Sequence, residues 1–439
     1  MTSRPTWGRY PATEQSVRRL AWSDEVASLA REPGFLLAGG NNRSYGDSAL
    51  NDGGTLVSFS QLDRLIAFDA DTGILQCESG VTLGEILRIA LPRGWELPVV
   101  PGTQFVTVGG AIANDVHGKN HVTRGTFAGC VRSFLLWRSQ QGLVECSRDQ
   151  EAGLFAATVG GLGLTGAIVR AELQLRRQAA TQLDVQTLRF ANVEEFLALA
   201  AESESGWEYT VAWVDGLARG ERLGRGVFFR ANHAASDEGP GSLPVADGRW
   251  NVPFDFPAFA LSAPVVRAFN GVYRATHGPR RARVGFAPFF FPLDSVHQWN
   301  RIYGSRGFVQ HQCVVPMAAG REAITALLTE IAAAGEASFL SVLKTFGRVP
   351  SPGLLSFPRE GVTLAMDFPI SGRSTLDLLD RLDAVVRDAG GAVYPAKDAR
   401  MSPDTFRRSF PRLEEFRAYV DPRFSSSFWR RVNGAEASQ

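Results

Sequence analysis

Three glycine-rich segments lie within about 130 residues of this chain, and they constrain its fold more than any other feature. They span residues 38–47, 101–113 and 159–166, and each adjoins an apolar run. Glycine has no Cβ atom, so its backbone tolerates a positive φ and approaches a ligand closely, and successive N–H groups in such a turn bind an anion. One segment alone is equally typical of a structural turn. Three together predict an extended dinucleotide ligand that is held from several sides.

Two common nucleotide-binding motifs do not account for these glycines. Gly161 and Gly163 lack the following helix and the acidic residue about 20 positions later that a Rossmann fold requires. The chain contains no Walker A sequence, so it lacks the usual machinery for nucleotide hydrolysis. The sequence therefore favours neither of these two nucleotide-binding folds.

Composition limits the classes of partner. The 46 basic and 45 acidic residues nearly cancel, which argues against a nucleic-acid partner. Residues 1–22 lack the apolar run of a signal peptide, and no stretch approaches the roughly 18 apolar residues of a spanning helix. We therefore expect a cytoplasmic protein, with peripheral contact at the inner membrane left open. The four cysteines form no CxxC pair or His/Cys cluster, so we expect buried, reduced thiols and no metal site.

Local patterns in the first part of the chain predict both helix and strand. Thr82 is a favourable N-cap for a helix that Pro92 and Gly94 end. Residues 131–137 and 143–146 are apolar runs separated by a glycine-containing turn, which is the pattern of a β-hairpin.

Residues 169–176 alternate between apolar and polar, as in a strand with one solvated face, and this strand would close the first unit. The composition of the chain then changes. Residues 321–334 and 375–389 have the apolar spacing of two helices that lie on a sheet. A chain of 439 residues with 44% hydrophobic content predicts two domains, and the change to an aromatic-rich composition near residue 180 indicates their boundary.

With these motifs the sequence resembles the FAD-binding type 4 oxidoreductases, and within them the decaprenylphosphoryl-β-D-ribose 2-oxidase family. The matching residues run in order from residue 39 to about residue 412, which is nearly the whole chain. The block from Gly109 to His121 is highly specific, whereas the isolated glycine pairs are not. The other matching segments are 42–47, 101–103, 157–166, 292–294, 299–301, 367–370 and 394–398.

The resemblance implies an α+β, two-domain fold of the vanillyl-alcohol-oxidase or PCMH type. Residues 1–180 would form the FAD-binding domain, and residues 181–391 a substrate-binding domain built on an antiparallel sheet flanked by helices. Residues 392–439 would return to the FAD-binding domain. In many relatives a histidine of the first glycine segment bonds covalently to the flavin, and Arg43 stands at about that place here, which implies noncovalent FAD.

The resemblance also assigns the site residues. Lys397, His117 and Tyr45 are the expected catalytic residues, with Lys397 stabilising negative charge and His117 orienting the substrate hydroxyl or contacting the flavin. The expected cofactor-binding residues are Gly40, Asn41, Asn42, Arg43, Ser44, Tyr45, Gly46, Asp47, Gly102, Thr103, Thr107, Gly109, Gly110, Ala111, Asn114, His117, Gly118, Ile168, Tyr394 and Lys397. The expected substrate-binding residues are Lys119, Trp213, Gln310, Gln312, Lys344 and Ala365.

The implied reaction is FAD-dependent oxidation of a polyprenylphosphoryl-β-D-ribofuranose at C2, by hydride transfer to flavin N5. The product is the 2-keto sugar, which is the intermediate of an epimerisation to the arabinose form. A separate NAD(P)H-dependent short-chain reductase would complete the epimerisation. The arabinose form would serve as an arabinan precursor for the cell envelope. The alternative is an alditol or aldonolactone oxidase of the same fold, for which Lys344 has no phosphate to bind. A binding protein without turnover is disfavoured by the presence of both Lys397 and His117.

Two positions depart from the family pattern. Ala365 stands where mycobacterial relatives have a cysteine beside the flavin, and Phe290 replaces a tyrosine. Neither residue is the expected base, so hydride transfer should survive both changes. The geometry of the bound substrate should differ.

Overall fold

The computed structural model describes residues 5–178, 180–235, 250–336 and 339–434. Its strands are β1 (Ser16–Arg19), β2 (Leu36–Gly39), β3 (Thr55–Ser58), β4 (Leu65–Phe68), β5 (Ile74–Glu78), β6 (Trp95–Glu96), β7 (Val131–Arg138), β8 (Gly142–Ser147), β9 (Ala167–Gln174), β10 (Arg176–Arg177), β11 (Gln182–Phe190), β12 (Tyr209–Val214), β13 (Gly226–His233), β14 (Trp250–Asn251), β15 (Arg280–Gly285), β16 (Val296–His297), β17 (Phe308–Val315), β18 (Ser341–Phe346), β19 (Gly361–Pro369) and β20 (Ala392–Val393). Its α-helices are α1 (Leu83–Ala90), α2 (Val108–Ala113), α3 (His121–Arg124), α4 (Ala152–Thr158), α5 (Val193–Ser203), α6 (Ala263–Thr276), α7 (Phe286–Phe290), α8 (Gly320–Ala334), α9 (Arg373–Asp388), α10 (Pro403–Ser409), α11 (Leu413–Arg417) and α12 (Ser427–Asn433). Together they form the α+β fold that the sequence predicts.

Three sheets are built from strands that precede residue 180, of which the smallest pairs β6 with β10. β1, β3 and β2 form a parallel sheet in that order, and β4, β5, β9, β7 and β8 form an antiparallel one. The predicted hairpin is β7 and β8, and β9 buries alternate residues as expected. The predicted helix is α1, where Thr82 accepts a hydrogen bond from the Glu85 N–H and the Glu85 carboxylate accepts one from the Thr82 N–H. These three predictions are confirmed.

An eight-stranded antiparallel sheet, in the order β15-β11-β13-β12-β18-β19-β17-β20, forms the other large layer. The two predicted helices are α8 and α9, which pack together and bury their apolar stripes against one face of this sheet. His311 of β17 points to that side and lies 3.0 Å from Asp383 of α9. Gln310 and Gln312 point to the opposite face, as their alternation predicts. The helices thus cover one face and leave the other for a cavity.

The C-terminal segment returns to the first glycine segment. The Leu36 N–H donates to the Arg423 carbonyl at 2.8 Å, and the Ser425 N–H donates to the Leu36 carbonyl at 2.9 Å. The Tyr45 N–H donates to the Ala396 carbonyl at 3.1 Å. Residues from the end of the chain therefore support β2 and the turn that follows it.

The described residues also bear on the expectations for cysteines, membrane-spanning helices and metal ligands. All four cysteines are buried and unpaired, as their spacing predicts. The described helices include none with the length and apolar character needed to span a bilayer. No group of three or more His, Cys, Asp or Glu side chains that could hold a metal ion occurs in the described ranges.

Candidate active site

A cavity of about 1290 Å³ lies between the glycine segments and the open face of the eight-stranded sheet. Most of the predicted site residues line it, although they are far apart in the sequence. Those predicted for the cofactor are Gly40, Asn41, Asn42, Arg43, Ser44, Tyr45, Gly102, Thr103, Thr107, Gly109, Gly110, Asn114, His117, Gly118, Ile168, Tyr394 and Lys397. Those predicted for the substrate are Lys119, Trp213, Gln310, Gln312, Lys344 and Ala365. The fold therefore brings both sets together around one space.

In contrast with the prediction, Gly46, Asp47 and Ala111 do not line this cavity. A Cβ atom on Gly46 would overlap the Asp398 carbonyl, so this glycine permits close packing of the C-terminal segment. Asp47 is buried and accepts two hydrogen bonds from the Arg431 guanidinium, both at 2.8 Å. Ala111 is completely buried in the core beneath the cavity. These residues support the cavity wall from behind.

The first glycine segment forms a turn suited to an anion. Asn42 has a positive φ of 49°. Within the described chain, the backbone N–H groups of residues 41–44 donate no hydrogen bond to a protein acceptor. Gly40 lies so close to Thr107 that a Cβ atom would overlap the threonine hydroxyl. Because free N–H groups in such a turn bind phosphate oxygens, the residues present fit the diphosphate of FAD.

The second glycine segment contains a short helix, α2, where the sequence suggests only a loop. The Thr107 hydroxyl caps this helix by accepting from the Gly110 N–H at 3.3 Å, which is why the chain turns helical here. The Gly109 N–H donates to the Ser79 carbonyl at 2.8 Å, and a Cβ atom on Gly109 would lie 3.0 Å from the Ser79 Cβ. The glycine pair thus lets the backbone pack tightly while it faces the cavity.

Arg43 is held at the cavity wall by two aromatic rings. Its guanidinium carbon lies 4.4 Å from the centre of a Trp7 ring and 4.9 Å from that of Phe105. Burial lowers the pKa of Arg43, and the carboxylate of Asp294 opposes this shift. Asp294 also accepts a hydrogen bond from the Gln104 N–H at 2.8 Å. A guanidinium has no nucleophilic nitrogen to offer a flavin, and noncovalent binding of FAD stays a prediction.

The Lys397 ammonium group lies in a buried polar cluster. Its Nζ is 3.8 Å from the centre of the Tyr45 ring, and the Asp367 carboxylate provides the opposite charge. Asp367 is completely buried and accepts hydrogen bonds from Gln310 Nε2 at 2.6 Å and the Tyr303 hydroxyl at 3.1 Å. Burial lowers the pKa of Lys397 and raises that of Asp367, and their mutual attraction opposes both shifts. The pKa values of both groups therefore lie much closer to neutral pH than those of the free side chains.

His117 lies beside this cluster as a neutral imidazole. Its ring centre is 4.8 Å from that of Phe346 and 5.6 Å from that of Tyr394. Burial and then the charge of Lys344 hold the pKa of His117 well below its usual range. Gln312 Nε2 lies 3.0 Å from His117 Nε2, so the amide donates, the ring nitrogen accepts, and the ring proton resides on Nδ1. Among the described residues this Nδ1 has no hydrogen-bond partner.

Two further lysines make the cavity electropositive. Lys344 Nζ donates to the Gly118 carbonyl at 3.2 Å. Lys119 Nζ donates to the carbonyls of Phe289 and Phe290 at 2.9 and 3.0 Å. Burial lowers the pKa of Lys344 to about 8 and that of Lys119 to about 7. Neutral carbonyl oxygens hold these ammonium groups without cancelling their charge, so they can bind an anionic ligand.

One part of the cavity wall is apolar. The Trp213 indole donates to the Phe339 carbonyl at 3.0 Å, and its ring packs against Tyr273 with the centres 4.8 Å apart. The wall continues through Val185, Val211, Phe229, Phe269, Val284 and Leu340. Such a surface excludes water and accommodates a hydrocarbon group.

Asp367 and Asp294 are site residues to which the sequence analysis assigned no role. A signal for Asp367 was available, because it interrupts β19, in which the residues from Gly361 to Phe368 are all buried. A carboxylate inside such a strand needs a partner. Its hydrogen-bond partners, Gln310 and Tyr303, and the opposite charge of Lys397 come from other segments, so only the fold identifies them.

Comparisons with known proteins identify the family of this chain. The FAD binding domain family matches residues 10–147. Decaprenylphosphoryl-β-D-ribose oxidase of Mycolicibacterium smegmatis is 35% identical over 97% of this chain and 96% of its own length. An uncharacterised protein of the mprA 5′ region of Streptomyces coelicolor is 35% identical over 80% of this chain and 100% of its own, and L-gulonolactone oxidase of Mus musculus is 28% identical over 34% of each. The chain is thus an FAD-dependent oxidoreductase and belongs to the decaprenylphosphoryl-β-D-ribose oxidase family.

Proposed function

We propose that this protein oxidises the C2 hydroxyl of a polyprenylphosphoryl-β-D-ribofuranose to the 2-keto sugar, the first half of an epimerisation to the arabinose form. One cavity supports the proposal, because it combines an anion-binding turn, a group of lysines and an apolar wall. A dinucleotide, a sugar phosphate and a prenyl chain need these three kinds of surface. When bound, FAD supplies the acceptor for the hydride that leaves the alcohol carbon.

Lys397 is the residue that we assign to charge stabilisation. As the hydroxyl oxygen loses its proton, negative charge develops on it, and an ammonium group in a site shielded from water stabilises that charge strongly. Burial lowers the pKa of Lys397 to about 8, and the attraction of Asp367 opposes this shift, so Lys397 carries its charge at pH 7. The Tyr45 ring, 3.8 Å from Nζ, holds the ammonium group in place.

We assign His117 and Gln312 to orientation of the sugar. The two side chains are joined by a hydrogen bond of 3.0 Å, so each restricts the rotation of the other. Tyr394 packs beside the His117 ring and donates its hydroxyl to the Asn114 carbonyl at 2.8 Å. A substrate hydroxyl held by such a rigid group approaches in one geometry, which is the largest benefit that positioning residues provide.

The lysines away from the sugar are assigned to the phosphate. Lys344 is protonated at pH 7 because its pKa is about 8, and Lys119 adds charge in the fraction of molecules that retain its proton. Trp213 and its apolar neighbours would contact the prenyl chain. Ala365 and Phe290 line the same cavity and are smaller or less polar than the cysteine and tyrosine of the mycobacterial pattern, so we expect altered substrate geometry.

The alternative is an alditol or aldonolactone oxidase. Mouse L-gulonolactone oxidase supports this reading only through about a third of each chain. Lys344 separates the two candidates, since a substrate without phosphate gives this lysine nothing to bind. Lys344→Ala would then leave KM almost unchanged, whereas loss of a charged contact to phosphate should raise KM by roughly tenfold or more.

The direct test is anaerobic mixing of the purified holoprotein with polyprenylphosphoryl ribose, followed through the absorbance band of the flavin. We expect prompt bleaching with the ribose lipid and none with the same sugar lacking the phosphate and prenyl groups. Bleaching by a free alditol or aldonolactone, at rates that Lys344→Ala does not change, would instead establish the alternative. An unchanged spectrum with every sugar would exclude both.

Further parts of the proposal concern partners and organisation. The 2-keto lipid must be reduced to reach the arabinose form, so we propose an NAD(P)H-dependent short-chain reductase as the next enzyme. A prenyl substrate resides in a bilayer, so we also propose peripheral contact with the inner membrane. We propose the domain limits 1–180, 181–391 and 392–439, supported by the sheets described above, although β20 pairs with β17 of the larger sheet.

A further inference from the structure

Exposed apolar side chains are concentrated in one stretch of the chain. Thirteen large apolar residues are exposed in the described ranges, and six of them fall between residues 250 and 272. They are Trp250 (73% exposed), Phe254 (60%), Phe259 (71%), Val265 (45%), Phe269 (42%) and Val272 (64%), which we call the aromatic patch. Exposed apolar groups that occur singly need no explanation, but a cluster of this kind indicates a surface that another body covers.

The aromatic patch adjoins the mouth of the active-site cavity. Phe269 belongs to the patch and also lines the cavity, and its ring centre lies 5.1 Å from that of Phe339 on the cavity wall. Tyr273 and His277, later on the same stretch, line the cavity too. On α6, Val265, Phe269 and Val272 are spaced so that they share one flank of the helix. The apolar surface therefore continues from the outside of the protein into the cavity.

The same region carries a local excess of positive charge. Between residues 256 and 293 the sequence has five arginines and no aspartate or glutamate, whereas the whole chain is almost neutral. Arg267 and Arg274 lie on α6, and Arg280 lines the cavity and is exposed. None of these three forms a salt bridge with another residue in the part of the chain that the structure describes. Arg267 and Arg280 are exposed, so their charge is available to an external anion, whereas the Nε atom of Arg274 is buried.

We propose that the aromatic patch and these arginines dock the protein on the surface of a bilayer that contains anionic lipids, with the cavity mouth facing the lipid. This inference rests on the proposed function, because a prenyl chain must pass from the bilayer into the apolar part of the cavity. Aromatic rings enter the boundary between headgroups and acyl chains, and arginines bind the phosphates beside them. A protein partner bound here would cover the cavity mouth and obstruct that passage.

Vesicle flotation of the full-length holoprotein tests the proposal. We expect binding to phosphatidylcholine vesicles with about 30% phosphatidylglycerol, weak binding to phosphatidylcholine alone, and a decrease as salt is added. Arg267→Glu and the double variant Phe259→Glu/Val272→Glu should each weaken binding about tenfold or more. None of these residues lines the cavity. The variants should therefore still oxidise a water-soluble phosphoribose in which a short prenyl chain replaces the long one.

Matched controls change the same residue types elsewhere. Leu143→Glu alters a side chain that is 53% exposed on β8, and Arg88→Glu alters an exposed arginine on α1. Both controls should float like the wild type. Failure of the wild type to float with anionic vesicles, or equal loss in the controls, would overturn the proposal. So would a wild-type dimer that Phe259→Glu/Val272→Glu converts to a monomer, because a second copy would then cover the patch.

The two proposals fail in different ways. A protein that floats with anionic vesicles but never oxidises a phosphoribose refutes the proposed function alone. A protein that oxidises the soluble phosphoribose but never floats refutes the docking surface alone.

Discussion

The nitrogen of the Lys397 ammonium group lies 3.8 Å from the centre of the Tyr45 ring. Tyr45 comes from the first glycine segment and Lys397 from the C-terminal segment, and the Tyr45 N–H donates to the carbonyl of the neighbouring Ala396. Burial raises the pKa of Tyr45 well above its usual value, so its ring remains a neutral phenol at all working pH values. The contact therefore positions a charge without neutralising it.

Replacement of that charge should stop the reaction and spare the cofactor. In Lys397→Met the side chain keeps its length and loses its ammonium group, so the negative charge of the transition state has no counter-charge. We expect kcat to fall by roughly a hundredfold or more, with flavin still bound. Anaerobic single-turnover bleaching and the ratio of flavin to protein measure the two quantities. Normal bleaching in Lys397→Met would remove the assigned role.

Asp367→Asn should move the pH dependence of turnover. The charged form of Lys397 exists below its pKa, so activity that needs this form is lost as the pH rises above it. Asp367 raises the pKa of Lys397 by attraction, and its replacement should shift the alkaline limb of kcat to lower pH. Tyr303→Phe removes one hydrogen bond to Asp367 but no charge. The alkaline limb of its kcat profile should therefore stay at the same pH as in the wild type. Identical profiles for Asp367→Asn and the wild type would contradict this account.

Lys344 should control the affinity for phosphorylated substrate as the pH changes. Its pKa is lowered to about 8, chiefly by burial, so the free enzyme carries the charge below that pH and loses it above. We therefore expect kcat/KM for a phosphoribose lipid to fall above about pH 8. The Lys344→Gln variant should bind this substrate weakly, and its affinity should not change with pH in this range. The result is checked by steady-state kinetics at several pH values. A substrate without phosphate serves as the control, because its affinity should not follow this titration.

Gly40→Ala should reduce retention of FAD. The added Cβ atom would overlap the Thr107 hydroxyl, and relief of such overlap costs roughly 1 to 3 kcal/mol, so FAD affinity should fall about ten- to a hundredfold. Gly206→Ala is the matched control, since a Cβ atom there meets nothing within 4 Å. Flavin content after extensive dialysis distinguishes the variants. Equal flavin content in both would show that the turn tolerates a side chain.

Arg431→Met should destabilise the folded protein. Arg431 donates to both Asp47 oxygens and to Asp398 Oδ2 at 2.8 to 2.9 Å, and its loss leaves the buried Asp47 carboxylate without its ion-pair partner. We expect the free energy of unfolding to fall by about 3 kcal/mol. Arg408→Met breaks only an exposed ion pair with Asp404 and should change the free energy of unfolding by less than about 1 kcal/mol. Urea denaturation of both variants provides the measurement.

Local elements could be predicted from the sequence because their signals lie within a few residues. Thr82 and Glu85 are three positions apart and cap the same helix. Gln310 and Gln312 are two positions apart on a strand and therefore face the same cavity. In each case the physical cause operates over one turn or one pleat.

Long-range relationships could not be derived in this way. Gln310 meets Asp367 because β17 and β19 pair in the register that sets these two residues opposite each other. The sequence contains no local record of that register. For the same reason Gly46 and Asp47 looked like cofactor contacts, whereas the C-terminal segment, packing behind their turn, determines that they face away from the cavity.

The backbone bonds between Leu36 and the residues around Arg423 also set the order of events during biosynthesis. These partners are translated long after β2 has left the ribosome, because almost the whole described chain separates the two. The anion-binding turn after β2 acquires its support only once Arg423 and Ser425 have been made. Flavin capture is therefore a late step of maturation, and a stop codon placed before Arg423 should yield colourless apoprotein instead of a shorter active enzyme.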